Sequence, residues 1–182
     1  MVISEQLRRT NIAEYIIYMW QTEDMVRSLD FDIEKVQSFI IDKYDTDEEM
    51  KQKIRNWYEG IIKMSELENI KAAGHLQVIT NLVNDMNELH LWLLTQPEEI
   101  EYRMKFQSAA PHISDLSIKM QNGAKNAIDI CLHGLYGIML LKMKNVQISP
   151  ATQMAVETFR KLIASLAGRY HDREANPATY FL

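Results

Sequence analysis

Glycine and proline make up only ten of the 182 residues, six and four respectively, where average usage would supply roughly 22. These two residues punctuate a backbone: glycine reaches left-handed angles at little cost, and proline ends regular hydrogen bonding. Sandwiches, barrels and doubly wound sheets need many such positions, so a chain this short of them is expected to be helical. An apolar fraction of 47% with 25% charged residues excludes a disordered or collagen-like chain. The length fits one domain with a sizeable core.

Charge narrows the partners. Lys and Arg total 20 and Asp and Glu 25, a net charge of −5, which provides no global attraction to nucleic acid or to an anionic membrane. The distribution is uneven. From Asp30 to Glu49 eight acids face only Lys35 and Lys43, and from Lys142 to Arg173 six bases face Glu157 and Asp172. Such blocks read as solvated helix faces before they read as docking sites. Cys131 is the single cysteine, so no intrachain disulfide can form, and a reducing, cytoplasmic setting is expected. No apolar run precedes Glu5, Arg8 and Arg9, unlike a secretory signal. The longest nearly apolar stretch, Ile130 to Leu141, has about 12 residues, against the roughly 20 of a membrane span.

Periodicity divides the chain into about six helices. Ile12, Ile16, Met19, Glu23 and Val26 recur at helical spacing, which predicts a first helix from about Ile3 to Leu29. Asp32 is placed to accept from the free amides of a short helix in which Ile33, Val36 and Ile40 share a face, ending near Tyr44. Thr46-Asp47-Glu48-Glu49 has the spacing of a capping box, and Met50, Ile54, Trp57, Ile61 and Met64 continue from it as a stripe. The register fails through Ser65 to Ala73, so a turn is expected near Asn69. Leu76, Ile79, Val83, Met86, His90 and Leu93 then open a new stripe.

Pro97 suits the first turn of another helix, which Pro111 should break or kink. Asn122-Gly123 is a strong turn signal. Against it, Ile113, Leu116, Met120, Ala124, Ala127, Cys131, Gly134, Ile138 and Leu141 hold one face without a phase slip. The periodicity therefore predicts one long central helix, about 112–145. At 1.5 Å per residue it would span about 51 Å, more than the roughly 40 Å of a sphere of this mass, so an elongated bundle is expected. Ser149-Pro150 starts a last helix with Ala155, Phe159, Leu162, Leu166 and Tyr170 on its stripe. The reading is all-α: a single helical-bundle domain over 1–175 and an apolar tail over 176–182. Tyr180, Phe181 and Leu182 in that tail should dock on their own bundle or on a second chain.

Chemistry is sparse. No two of His75, His90, His112, His133 and His171 lie three or four apart, which excludes a His-x3-His metal face. Glu-x-x-His, the mark of a di-iron bundle, does not occur. No metal and no cofactor is expected. Asp129 and His133, four apart, read as an ordinary side-chain contact, and Cys131 as an inert small hydrophobe. There is no Gly-x-Ser-x-Gly elbow and no phosphate-cradling loop. Gly134 and Gly137 read as places where a neighbouring helix comes close. Polar residues near apolar stripes are more informative, because a carboxylate held against a histidine inside a bundle can do acid-base work or bind a polar ligand. Glu14, Trp20, Glu23, His75, His90 and Tyr136 are the candidate ligand-binding residues. Leu91-Trp92-Leu93-Leu94 is apolar all round, so Trp92 joins Tyr180, Phe181 and Leu182 as a candidate interface.

Asn11-Ile12-Ala13-Glu14-Tyr15, Met19-Trp20-Gln21 with Glu23-Asp24, Gly74-His75-Leu76-Gln77, and Leu135-Tyr136-Gly137 before Ile148-Ser149 resemble an uncharacterised all-helical domain family of Bacteroidetes bacteria. The resemblance spans most of the chain. It implies a stand-alone bacterial helical domain of unknown function, with no catalytic residues to carry over. Two functions are compatible with the residues. One is a cytoplasmic helical-bundle interaction or scaffold protein, forming a homodimer or binding another protein through Trp92 or the tail. The other is a small-molecule-binding protein or enzyme with a polar pocket formed by Glu14, Glu23, His75 and His90.

Overall fold

A computed structural model describes residues 2–120 and 126–180. They form α1 (Val2–Thr10), α2 (Ile12–Ser28), α3 (Ile33–Phe39), α4 (Glu48–Leu67), α5 (Gln77–Thr95), α6 (Ile100–Lys119), α7 (Ala127–Met143) and α8 (Pro150–Ala175). Two 3-10 turns, at Ile41–Lys43 and Pro177–Thr179, complete the regular structure, and no strand occurs among the described residues. The all-α class stands, with eight α-helices in place of about six. The chain falls into two compact units, Met1–Arg9 with Glu14–Asn81, and Thr10–Ala13 with Leu82–Leu182.

In the first unit, Val26, Val36, Ile41, Tyr58 and Ile62 form a buried cluster, flanked by Leu29, Phe31, Ile33, Ile40, Ile54 and Trp57. Local signals bring these residues together. Asp30 and Phe31 both take φ of 58°, and the amide of Phe31 returns to the carbonyl of Val26, which ends α2 in left-handed backbone. Asp32 then caps α3 by accepting from the amides of Glu34 and Lys35, as its sequence position predicts. The expected cap of α4 is displaced by one residue: Asp47, not Thr46, accepts from the amide of Met50. The predicted turn near Asn69 is present, with φ of 56° at that residue.

The predicted first helix is two helices. The amide of Ile12 donates to Nε2 of His171, so it does not continue the ladder of α1, and Asn11 lies outside both helices. In the second unit, α6, α7 and α8 pack on one another. Pro111 neither ends nor splits α6. A proline inside a helix costs about 3 kcal/mol, and burial of Tyr102, Ala109 and Ile113 on one face offsets it. Ser149 and Pro150 start α8 as expected, the serine hydroxyl accepting from the amide of Thr152.

The long helix over 112–145 is not formed. Met120 caps the end of α6, and Asn126 caps the start of α7 by accepting from the amide of Asp129. The connection spans residues 120–126, close to two turns of a 3.6-residue helix. A segment of that length leaves the apolar spacing of the sequence unshifted, which is why periodicity alone reads through the break. Gly123 itself, where the turn signal and the periodicity disagree, lies outside the described residues.

The two α7 glycines differ. A Cβ on Gly134 would sit 2.9 Å from the ring of Phe159 and 3.1 Å from Leu116, whereas one on Gly137 would meet nothing within 4 Å. Close helix packing therefore accounts for Gly134 only. Alanine at 137 is expected to stabilise the fold by about 1 kcal/mol through helix propensity. Alanine at 134 should destabilise it by about 1–2 kcal/mol, because the buried Phe159 ring must move. Thermal melts of the two variants should shift in opposite directions, and equal shifts would contradict this assignment.

Candidate functional site

In the first unit, two turns of α2 gather Trp20, Glu23, Asp24 and Arg27 against the connection that follows α4. Glu23 is 1% exposed, yet both of its oxygens are occupied: Oε2 lies 2.6 Å from Nδ1 of His75, and Oε1 accepts from the amide of Leu76 at 3.1 Å. A carboxylate only accepts, so Nδ1 of His75 carries a proton. The imidazole stacks on Trp20, with centroids 4.6 Å apart and planes at 22°, and its side chain is 25% exposed. Burial raises the Tyr15 phenol pKa, and the nearby Glu23 charge adds to that.

Arg27 fixes the connection. Its guanidinium donates to the carbonyls of Ile70, Lys71 and Gly74 while pairing with Asp24. Gly74 sits at φ of 98°, where a side chain would be strained. The result is an oriented histidine on a buried carboxylate, an arrangement suited to holding a proton or a polar group at a defined place.

In the second unit, His90 is 1% exposed and its Nδ1 lies 2.7 Å from the hydroxyl of Tyr102. Burial pushes the His90 pKa down to about 4 and the Tyr102 phenol pKa up, so the hydrogen bond joins a neutral ring to a neutral phenol. Phe106 packs edge-on against the same imidazole. Arg169 lies over the Tyr102 ring at 5.4 Å and binds Glu99 through two nitrogens. This network ties the start of α6 to α8, and Arg169 and Glu99 were not distinguishable in sequence from other surface charges.

A cavity of about 450 Å³ opens where α6, α7 and α8 meet. Leu116, Ile138, Leu141, Val156 and Phe159 give it apolar walls, and His112, Asp115, Lys119, His133 and Thr152 add polar groups. Its volume is within the range of small-molecule pockets. His133 is held by Asp129, with Nδ1 3.1 Å from Oδ1 and 3.0 Å from the backbone oxygen. Burial lowers the pKa of His133, but the hydrogen bonds and charge of Asp129 outweigh it, so the net shift is upward. Gly137 lines the cavity too, and its missing side chain leaves space there. Cys131, by contrast, is buried, with its thiol pushed up to about 12 by desolvation, as an inert core residue should be.

The family model described as "Domain of unknown function (DUF4924)" matches residues 1–176. The chain belongs to the DUF4924 family. No curated protein and no solved structure matches it.

Within this DUF4924 domain, the structure joins three of the six candidate ligand residues, Trp20, Glu23 and His75. Glu14 is exposed, and His90 finds its partners in Tyr102 and Phe106, in the other unit. Tyr136 is buried on α7. Of the candidate interface, Trp92 is covered on one side by Tyr180 of the same chain, with ring centroids 5.0 Å apart; Phe181 and Leu182 lie outside the described residues. The cavity of the DUF4924 domain was missed in sequence, although His112, Asp115 and Lys119 at steps of three and four carry a signal: polar residues sharing a helix face with Leu116. No cluster of potential metal ligands occurs among the described residues, and no helix there is long and apolar enough to cross a membrane.

Proposed function

We propose that this DUF4924 domain binds a small amphipathic molecule with an acidic head in the cavity between α6, α7 and α8. The observation that carries this reading is the mixed lining: apolar side chains from three helices, a glycine that leaves space open, and a histidine whose pKa is raised. An apolar body fits Leu116, Ile138 and Phe159. Lys119, together with His133 when it is protonated, favours a negative head over a neutral one, against the carboxylate of Asp115. Self-association through Trp92 has less support, because Tyr180 already occupies one face of that ring.

Decanoate and decanol, which share an apolar chain and differ in head, test the reading by displacement of a fluorescent anilinonaphthalene sulfonate. Saturable, one-to-one binding is expected, with decanoate favoured. Lys119→Ala should weaken decanoate by about threefold, and Gly137→Leu should weaken both ligands by about tenfold or more through loss of volume. Unchanged affinity in Gly137→Leu, with the fold verified by its melt, would remove this cavity as the site.

A further inference from the structure

A second cavity, of about 310 Å³, belongs to the first unit, and its character is different. Four aromatic residues line it: Tyr18 from α2, Tyr44 from the turn before α4, and Trp57 and Tyr58 from α4. The Trp57 and Tyr58 rings meet at 71° with centroids 4.9 Å apart, and Tyr18 lies 6.4 Å from Trp57 at 30°. The rings around this space thus lie in differently oriented planes. Tyr58 is fully buried, Tyr18 and Trp57 are half-buried, and Tyr44 is 40% exposed, which places the fourth ring within reach of solvent.

The surrounding charge selects the ligand. Asp45 lines this cavity, within the strongly acidic stretch from Asp30 to Glu49. Its acidic neighbours are engaged. Asp42 accepts from Gln37, Asp47 caps α4, Glu48 pairs with Lys51, and Glu49 pairs with Lys53. Asp45 alone of this group makes no side-chain ion pair or hydrogen bond among the described residues. No Lys or Arg lines the cavity. Aromatic faces attract a cation through their quadrupoles, tryptophan most strongly, and quaternary ammonium groups are held in this way.

We infer that the cavity lined by Tyr18, Tyr44, Trp57, Tyr58 and Asp45 binds a small organic ammonium ion. The ring faces take the methylated or alkylated head, and the Asp45 carboxylate supplies the counter-charge. This site stands independently of the amphipath cavity between α6, α7 and α8.

Calorimetric titration of the full chain with choline and with its neutral isostere 3,3-dimethylbutanol decides the matter. Choline is expected to saturate the site and to bind about tenfold more tightly than the alcohol. Tyr44→Leu should loosen choline about tenfold, and Asp45→Asn about threefold. Both positions are solvent-accessible, so the fold should survive; if Tyr44→Leu does not fold, Asp45→Asn still decides. Equal affinity for choline and the alcohol, failure of choline to saturate at tens of millimolar, or indifference of choline binding to Asp45→Asn would each overturn the inference.

Discussion

Glu23→Ala is expected to destabilise the first unit by about 3 kcal/mol, among the larger effects available to a single substitution here. The loss has two sources. The amide of Leu76, itself fully buried, would have no acceptor, and Nδ1 of His75 would lose the carboxylate 2.6 Å away. Glu23→Gln keeps one oxygen for the two donors and should lose about half as much. Urea unfolding followed through tryptophan emission measures both, since Trp20 stacks on the histidine. A loss below about 1 kcal/mol for the alanine variant would mean that water replaces the carboxylate readily, and the pair would then be a surface contact.

The second large effect is a pH dependence carried by His90. Its folded pKa of about 4 lies below the 6.5 of an exposed histidine because the ring is buried. A histidine held neutral in the fold takes up a proton on unfolding, so its contribution is complete above pH 6.5 and drains as the pH falls toward 4. Between about pH 7.5 and about pH 4.5 the loss from this ring alone is about 2.5 kcal/mol. His90→Gln, which can still accept from Tyr102, should remove that part of the acid limb. Denaturant midpoints at the two pH values, compared between wild type and variant, isolate it from the carboxylates common to both. An acid limb of unchanged depth would show that His90 is hydrated in the fold. His133 has the opposite sign: its pKa is raised overall by Asp129, so its contribution is complete below pH 6.5 and is lost as the pH rises through its folded value.

The parts of the fold legible in sequence are those decided by neighbours along the chain. Asp32 and Ser149 cap the helices they precede, and every member of the Leu76-to-Leu93 stripe is buried. The misreadings have another source. The connection between α6 and α7 is close to two helical turns in length, so the apolar spacing of the sequence runs through it and outweighs the local signals, Asn122-Gly123 and the Asn126 cap. Asn11 falls between two helices because an amide goes to His171, 159 positions away. Pro111 stays helical because of what α6 packs against. Glu23 and His75 were recognisable as candidates, but 52 residues separate them, and only the fold pairs them. The α6–α7–α8 cavity was illegible for a simpler reason: a void is defined by atoms that are absent, and a sequence records only those present.

Arg27 bears on how the chain can vary. It holds the connection between α4 and α5 through the main-chain oxygens of Ile70, Lys71 and Gly74, and an oxygen on the main chain is the same whatever side chain stands beside it. The conformation that presents His75 to Glu23 is therefore largely insensitive to which residues occupy 71–73. Substitutions can accumulate there with little structural consequence, while the burden falls on one arginine and one glycine. Short of a proline or a change at those two positions, the connection can drift in sequence and still deliver the same imidazole to the same carboxylate.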